Sequence, residues 1–428
     1  MASSSRSEAA RDLPLWTAIG SGTSFSKMAL PTFLKRREIG KRERLMCYRE
    51  WPVPNINGSF TFTEKANLVN RFLPNRQIVI QRLPYEIFCC QYLPDGRLIS
   101  SSRDNTLRFF YRQHTDYKLC YEYNYENDVA SRGKWFHEIV ISNSDQLTCP
   151  VDDGYVYCYS LRDSGLELLW SKRYEALATP RHQQRSALFP HLRYTVDDRR
   201  FILGCTGGYV IISDSENHNA IDSFKAHRDD PVNVYCFKTN PNIYCTSGID
   251  GLCKVWDMRA ERRTSSSGMR NPVGVFSGHY CPITFADGDF TDRYFLSVAG
   301  DETIKIWDFR RFSEKSAKLA GGFESVAFPP SSSGDTSVMT FQGYAEFQNI
   351  VRAYFSPERT GNRYVYTGRS QGAVHVLDVF TSDTMLILRG HRSMVYDCCW
   401  HPYDAEIKDG IMARWQNVDT TYFDRSKY

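Results

Sequence analysis

Short runs of alternating apolar and polar residues recur along most of the chain, and each predicts a strand half buried on a pleated surface. QYLPDGRLISSSRDNTLRFFY at 91–111 reads as a hairpin turning at Pro94-Asp95-Gly96, followed by two strands. IVISNSDQLTCPVDDGYVYCYS at 139–160, YTVDDRRFILGCTGGYVIISD at 194–214 and IVRAYFSPERTGNRYVYTGRSQGAVHVLD at 350–378 have the same texture. Within this series two consecutive stretches share a stricter pattern. One carries Ala226-His227 and then GLCKVWD ending at Asp257; the other carries Gly278-His279 and then ETIKIWD ending at Asp308. In both an Asp stands six residues before the Trp (Asp250 before Trp256, Asp301 before Trp307) and a hydroxyl ten before it (Thr246, Ser297). The Asp sits at the tight turn entering the strand, where a short carboxylate can bond local backbone. The His (His227, His279), the hydroxyl, the turn Asp and the Trp indole can form one buried polar chain. Such a chain has to be complete, because an unpaired buried polar group costs about 1–3 kcal/mol.

This unit resembles the WD40 repeat, which builds one blade of a β-propeller. The resemblance predicts that the turn and strand recur at intervals of roughly 40–45 residues, longer where loops are inserted. The turn position recurs at Asp104, Asp153, Gly207, Asp250, Asp301, Gln371 and Asp409, and the Trp position at Phe110, Tyr159, Ser213, Trp256, Trp307, Leu377 and Trp415. Seven recurrences imply an all-β, seven-bladed WD40 propeller. LVNRFLPNRQIVI at 68–80 reads as an entry strand, and an N-terminal strand that completes the last blade would remove the exposed edges. Gly207-Gly208 supplies the turn conformation of the third blade without the carboxylate.

The propeller is expected over residues 67–428, behind an N-terminal extension at 1–66. The first 26 residues are Ser-rich, polar and aperiodic. KRREIGKRER at 35–44 admits three readings: a solvated helix with mixed-sign pairs, a nuclear-import patch, or a partner-binding helix using Phe33, Leu34, Ile39, Leu45 and Met46. A Ser-, Gly- and Pro-rich insert at about 312–345 accounts for the long gap between Asp301 and Gln371. The last blade reads as shortened, since only Lys408 separates Ile407 from Asp409-Gly410.

No apolar run approaches the roughly 18 residues of a membrane helix and the N-terminus lacks a signal-peptide core, so a nuclear or cytoplasmic protein is expected, with no membrane partner. The 13 cysteines fit that compartment, being odd in number and mostly inside predicted strands. They show no C-x-x-C spacing, so neither a disulfide framework nor a metal site is expected. A dispersed net charge of +4 gives no concentrated basic face for nucleic acid.

No P-loop, no G-x-G-x-x-G after a strand, no H-E-x-x-H and no G-x-S-x-G elbow occurs, and the His and Asp residues of the repeats have structural work. We therefore expect a non-enzymatic protein without cofactors that acts by recognition. The informative residues lie two places after each Trp-Asp: Arg259 after Trp256-Asp257 and Arg310 after Trp307-Asp308, in neighbouring repeats. Each arginine is either an ordinary rim residue, paired with a nearby Asp, or a planar fork for carboxylates of a partner. The second reading resembles the W-D-x-R signature of receptors that dock on the damaged-DNA-binding adaptor of cullin 4 RING ubiquitin ligases. Further runs carry the likeness: NRFLPN, WDFRRF before a long insert, GDTSVMTFQG, the YVYTG strand and GHRSMVYDCCWHP. From about Asn67 onward these are similar to the family of adaptor- and cullin-4-associated factor 11, also called WD repeat protein 23. The resemblance implies a substrate receptor for protein ubiquitination, with Trp256, Asp257, Arg259, Trp307, Asp308 and Arg310 facing the adaptor. It also implies a client protein such as a stress-response transcription factor. Tyr344, where a His would complete a Gly-His pair, departs from the pattern. The alternative is a WD40 scaffold in an unrelated assembly whose rim arginines are ordinary surface groups.

Overall fold

Alternating runs of this kind close on one another because each strand has two faces to bury, and a ring of sheets buries both. The computed structural model describes residues 73–416 except 75, 81–82, 94, 114–115, 130–134, 152–153, 163–164, 175–190, 229–232, 261–269, 314–333, 345–350, 392–393, 403–405 and 410–412. The extension at 1–66, its basic run at 35–44 and the turn position Asp153 lie outside the described residues.

Among the described residues, 28 strands form seven four-stranded sheets, and every pairing within them is antiparallel. The N-terminal strand β1 is Arg76–Val79. The first sheet is β2 (Ile87–Tyr92), β3 (Leu98–Ser102), β4 (Thr106–Gln113) and β5 (Asp116–Asn124). The second is β6 (Val140–Ile141), β7 (Gln146–Pro150), β8 (Tyr155–Arg162) and β9 (Gly165–Arg173). The third is β10 (His191–Tyr194), β11 (Arg200–Cys205), β12 (Tyr209–Asp214) and β13 (Ala220–Lys225). The fourth is β14 (Asn233–Cys236), β15 (Ile243–Ser247), β16 (Leu252–Asp257) and β17 (Gly274–Ser277). The fifth is β18 (Ile283–Gly288), β19 (Tyr294–Ala299), β20 (Thr303–Asp308) and β21 (Met339–Gln342). The sixth is β22 (Ala353–Phe355), β23 (Tyr364–Gly368), β24 (Ala373–Asp378) and β25 (Thr384–Arg389).

These six sheets are meanders of consecutive strands. The seventh is composite: β26 (Cys398–Trp400), β27 (Glu406–Asp409) and β28 (Ala413–Gln416) are completed from the other end of the chain by β1, which pairs with β28 from Arg76↔Gln416 to Val79↔Ala413. All four of its strands are only three or four residues long. Asp409 is the last residue of β27, paired with Ala413, so it stands in the strand just ahead of the turn.

First strands of neighbouring sheets lie side by side, as β6 with β10, β10 with β14, β14 with β18, β18 with β22 and β26 with β2, so first strands line the centre of the ring and fourth strands its edge. This is an all-β WD40-type propeller. Third strands sit between neighbouring sheets, so β20, β24 and all but the last residue of β16 are buried, while the outer strand β25 stays largely exposed. Apolar clusters fill the gaps between sheets: Val210, Ile212, Tyr244 and Trp256 between the third and fourth, and Cys253, Phe276, Phe295 and Trp307 between the fourth and fifth. Each large side chain buried this way contributes roughly 2–3 kcal/mol.

Ring closure adds a buried ion pair. The Arg352 guanidinium, just before β22, lies 3.1 Å from the Asp397 carboxylate and donates to the Phe88 carbonyl. Asp397 in turn accepts the Cys90 amide at 2.9 Å, so the pair ties the sixth, composite and first sheets. The insert after Arg311 is partly structured: Asp335 bridges to Ser277, and Met339–Gln342 supplies the outer strand of the fifth sheet. The described cysteines are all free, and burial pushes the Cys89 and Cys236 thiols up to about 12, which leaves them as apolar core groups. No helix among the described residues is long and apolar enough to cross a membrane.

Candidate docking rim

The two Trp-Asp repeats place their functional residues in two layers, one buried and one exposed. In the fourth sheet the Trp256 indole donates to Thr246 Oγ1 at 2.8 Å, and Thr246 Oγ1 lies 2.8 Å from His227 Nε2. His227 Nδ1 lies 2.8 Å from Asp250. A neutral imidazole satisfies every member: Thr246 donates to Nε2 and Nδ1–H donates to Asp250. Burial holds the His227 pKa below its ordinary value, which fits that neutral form. The fifth sheet repeats the chain with Trp307 to Ser297 at 2.8 Å, Ser297 to His279 at 2.7 Å and His279 to Asp301 at 2.9 Å.

One member escaped the sequence reading. Lys254, four residues after Asp250, donates from Nζ to Asp250 at 3.1 Å and to the Ala226 carbonyl at 2.7 Å. Burial raises the Asp250 pKa, but the hydrogen bonds of His227 and Lys254 together with the Lys254 charge outweigh it and hold the carboxyl well below the usual range. In the first sheet Arg108 occupies the place of Lys254 and bonds Asp104, Ser102 and Glu122. Positions four residues after the turn Asp carry this signal: Arg108, Lys254 and Lys305 are basic residues flanked on both sides by apolar ones. Lys305 instead turns to Asp335 at 2.7 Å. The third sheet fills its turn with Gly207 and Gly208, both at positive φ, and a Cβ on Gly208 would stand 2.1 Å from the His227 carbonyl oxygen.

The exposed layer begins where β16 and β20 end. These strands run in the same sense in neighbouring sheets, so Asp257 and Asp308 come out on one rim, opposite the turns that hold Asp250 and Asp301. Arg259 donates its amide to Asp257 Oδ1 at 2.9 Å, and its guanidinium closes back on the same carboxylate through Nε at 3.0 Å and Nη2 at 2.8 Å. Arg310 repeats the geometry on Asp308, with its amide at 3.0 Å and Nε at 2.9 Å. The arginine's hydrogen bonds pull the Asp257 carboxyl below its usual range and the Asp308 carboxyl down to about 2. Of the two readings of these residues, the free molecule therefore shows the pairing with a nearby Asp. The forks that were expected to meet a partner's carboxylates grip their own chain. Both side chains nonetheless stay more than half exposed, at 61% and 62%. Each clamp engages two of the five guanidinium N–H groups and leaves three outside it. Trp256 and Trp307 themselves are buried and belong to the inner layer.

Among the described residues no group of His, Cys, Asp and Glu is arranged to hold a metal ion. Tyr344, standing where a His would complete a Gly-His pair, bonds Thr384 through its hydroxyl at 2.6 Å and sets its ring edge-on to His375.

Comparison with known proteins follows the same lines. The family model described as WD domain, G-beta repeat, matches residues 80–110, 219–257 and 270–308. The chain is 31% identical over 375 residues to the DDB1- and CUL4-associated factor 11 homolog of Caenorhabditis elegans, covering 83% of this chain and 64% of that protein. It is 30% identical over 403 residues to the Caenorhabditis briggsae homolog, covering 85% and 67%. It is 31% identical over 395 residues to the LEC14B protein of Lithospermum erythrorhizon, covering 84% and 79%.

Proposed function

Because the chain belongs to the DDB1- and CUL4-associated factor 11 family of WD40-repeat proteins, we propose that it is a non-catalytic substrate receptor of a cullin 4 RING ubiquitin ligase. Its Asp257–Arg259 and Asp308–Arg310 clamps dock on the damaged-DNA-binding adaptor, and the opposite rim presents the client. The observation that carries this reading is the repetition of one exposed arginine clamp, atom for atom, on adjacent sheets of a rigid ring. A lone surface arginine has no reason to be repeated in that way.

The clamp suits docking because it fixes a long side chain before the partner arrives. An Arg side chain otherwise loses about 0.5–1.5 kcal/mol of rotamer freedom on immobilisation at an interface. In solvent the intramolecular pair itself is weak. A partner carboxylate can therefore engage the three remaining N–H groups, or displace Asp, at little cost. Once desolvated, hydrogen bonds to charged groups contribute about 1.5–3 kcal/mol each.

Affinity for the purified adaptor tests the reading. Arg259→Ala with Arg310→Ala is expected to weaken binding by roughly 100-fold or more while the melting temperature stays unchanged. Undiminished binding would reject the assignment.

A further inference from the structure

The rim turn occurs on more sheets than the two that carry Trp-Asp. In the sixth sheet β24 ends at Asp378, in register with Tyr364, as β20 ends at Asp308 opposite Tyr294. Phe380, two residues on, donates its amide to Asp378 Oδ1 at 2.8 Å, the bond that Arg259 and Arg310 make to their own aspartates. In the third sheet β12 ends at Asp214, and Glu216 donates its amide to Asp214 Oδ1, also at 2.8 Å. One backbone turn thus projects the residue two places after the Asp from the same rim on four consecutive sheets. The side chains in that position, in ring order, are Glu216, Arg259, Arg310 and Phe380.

Phe380 cannot clamp its aspartate, and the fold supplies the missing guanidinium from the residue just before the adjacent strand β23. Arg363 donates to Asp378 through Nε at 2.8 Å, and its guanidinium stands 5.8 Å from the centre of the Phe380 ring. The clamp chemistry is kept while the projecting position is given to a phenyl ring. At 72% Phe380 is the most exposed large apolar side chain among the described residues. A large aromatic held over solvent by a fixed turn gains only a weak contact with a guanidinium in the free molecule, whereas buried aromatics next to arginines dominate interface energetics.

We propose that Phe380 is the apolar anchor of the docking rim, set beside the arginine pair so that the adaptor presents carboxylates to the fourth and fifth sheets and an apolar socket to the sixth. This rests on the docking reading above and gives the footprint a direction around the ring, ending at Glu216 on the other side.

The test compares purified adaptor binding by full-length wild type, Phe380→Ser, Phe380→Leu, Arg259→Ala with Arg310→Ala, and Tyr280→Ser. Tyr280 is half exposed beside the Asp301 turn on the opposite rim. Phe380→Ser is expected to bind roughly tenfold or more weakly with an unchanged melting temperature. Phe380→Leu should recover most of the loss, and Tyr280→Ser should bind as wild type. If the arginine variant loses binding while Phe380→Ser binds as wild type, the anchor is overturned and the docking reading stands. If the arginine variant binds as wild type, the docking reading falls and the anchor with it.

Discussion

The fourth and sixth sheets have the same four strands and the same rim turn, yet their interiors are built differently. The fourth holds Trp256, Thr246, His227 and Asp250 in a closed polar chain with Lys254 bound to its carboxylate. The sixth has Leu377 in the place of the Trp and the exposed Gln371 in the place of the turn Asp, and Thr367 donates instead to the Arg352 carbonyl at 3.1 Å. Its outward face is nevertheless intact, with Asp378 accepting the Phe380 amide and clamped by Arg363. The inner chain and the outer turn are therefore separable. In the fourth and fifth sheets they adjoin because one Trp-Asp dipeptide sends its indole into the core and its carboxylate to the rim.

The largest effect expected from breaking that contrast is Asp250→Ala. It strips a buried carboxylate from both His227 and the ammonium of Lys254, and loss of one partner of a buried pair costs about 3–5 kcal/mol. Gln371→Ala, at the same turn of the sixth sheet, should move stability by less than about 0.5 kcal/mol. Equilibrium denaturation of the two variants measures the difference. A smaller gap is expected between Thr246→Val, which leaves the indole N–H and an imidazole nitrogen unsatisfied at about 1–3 kcal/mol, and Thr367→Val, which removes a single bond worth about 1 kcal/mol or less.

Acid sharpens the comparison further. Burial lowers the His227 pKa, so below the ordinary histidine value near 6.5 the unfolded chain takes up a proton that the folded chain refuses. The stability it contributes is present above about pH 6.5 and is lost as pH falls. Asp250 is lowered as well, so its contribution is present above the ordinary carboxyl range near 4 and is lost below it. In the sixth sheet His375 is lowered to about 4, by burial and by Arg369 and Arg389. Its contribution should fade between about pH 6.5 and 4. Melting temperature should accordingly drop in two stages on acidification, and His375→Gln should flatten only the first. A profile that rises toward pH 5 would contradict the neutral assignment of these imidazoles.

The sequence made the repeat legible where one spacing serves one network. His227, Thr246, Asp250 and Trp256 are found by counting because their bonds require fixed offsets. Legibility failed where other residues do the same work. The turn of the sixth sheet was hidden because Leu377 replaces the Trp that flags it, and its clamp comes from Arg363, far from Asp378 in sequence. Strand β21 was hidden in a Ser- and Gly-rich insert because its four residues, Met339–Gln342, alternate over too short a run to register as a strand. The inward closure of Arg259 and Arg310 was one of two open readings, since spacing alone cannot tell which carboxylate an exposed arginine prefers.

The most direct test of the account is the affinity of the purified damaged-DNA-binding adaptor for the Arg259→Ala, Arg310→Ala variant, measured with its melting temperature and beside Thr246→Val. The account predicts that the arginine variant keeps its melting temperature and loses binding by roughly 100-fold or more, while Thr246→Val melts earlier and, where still folded, binds as wild type. An arginine variant that binds as tightly as wild type would contradict it.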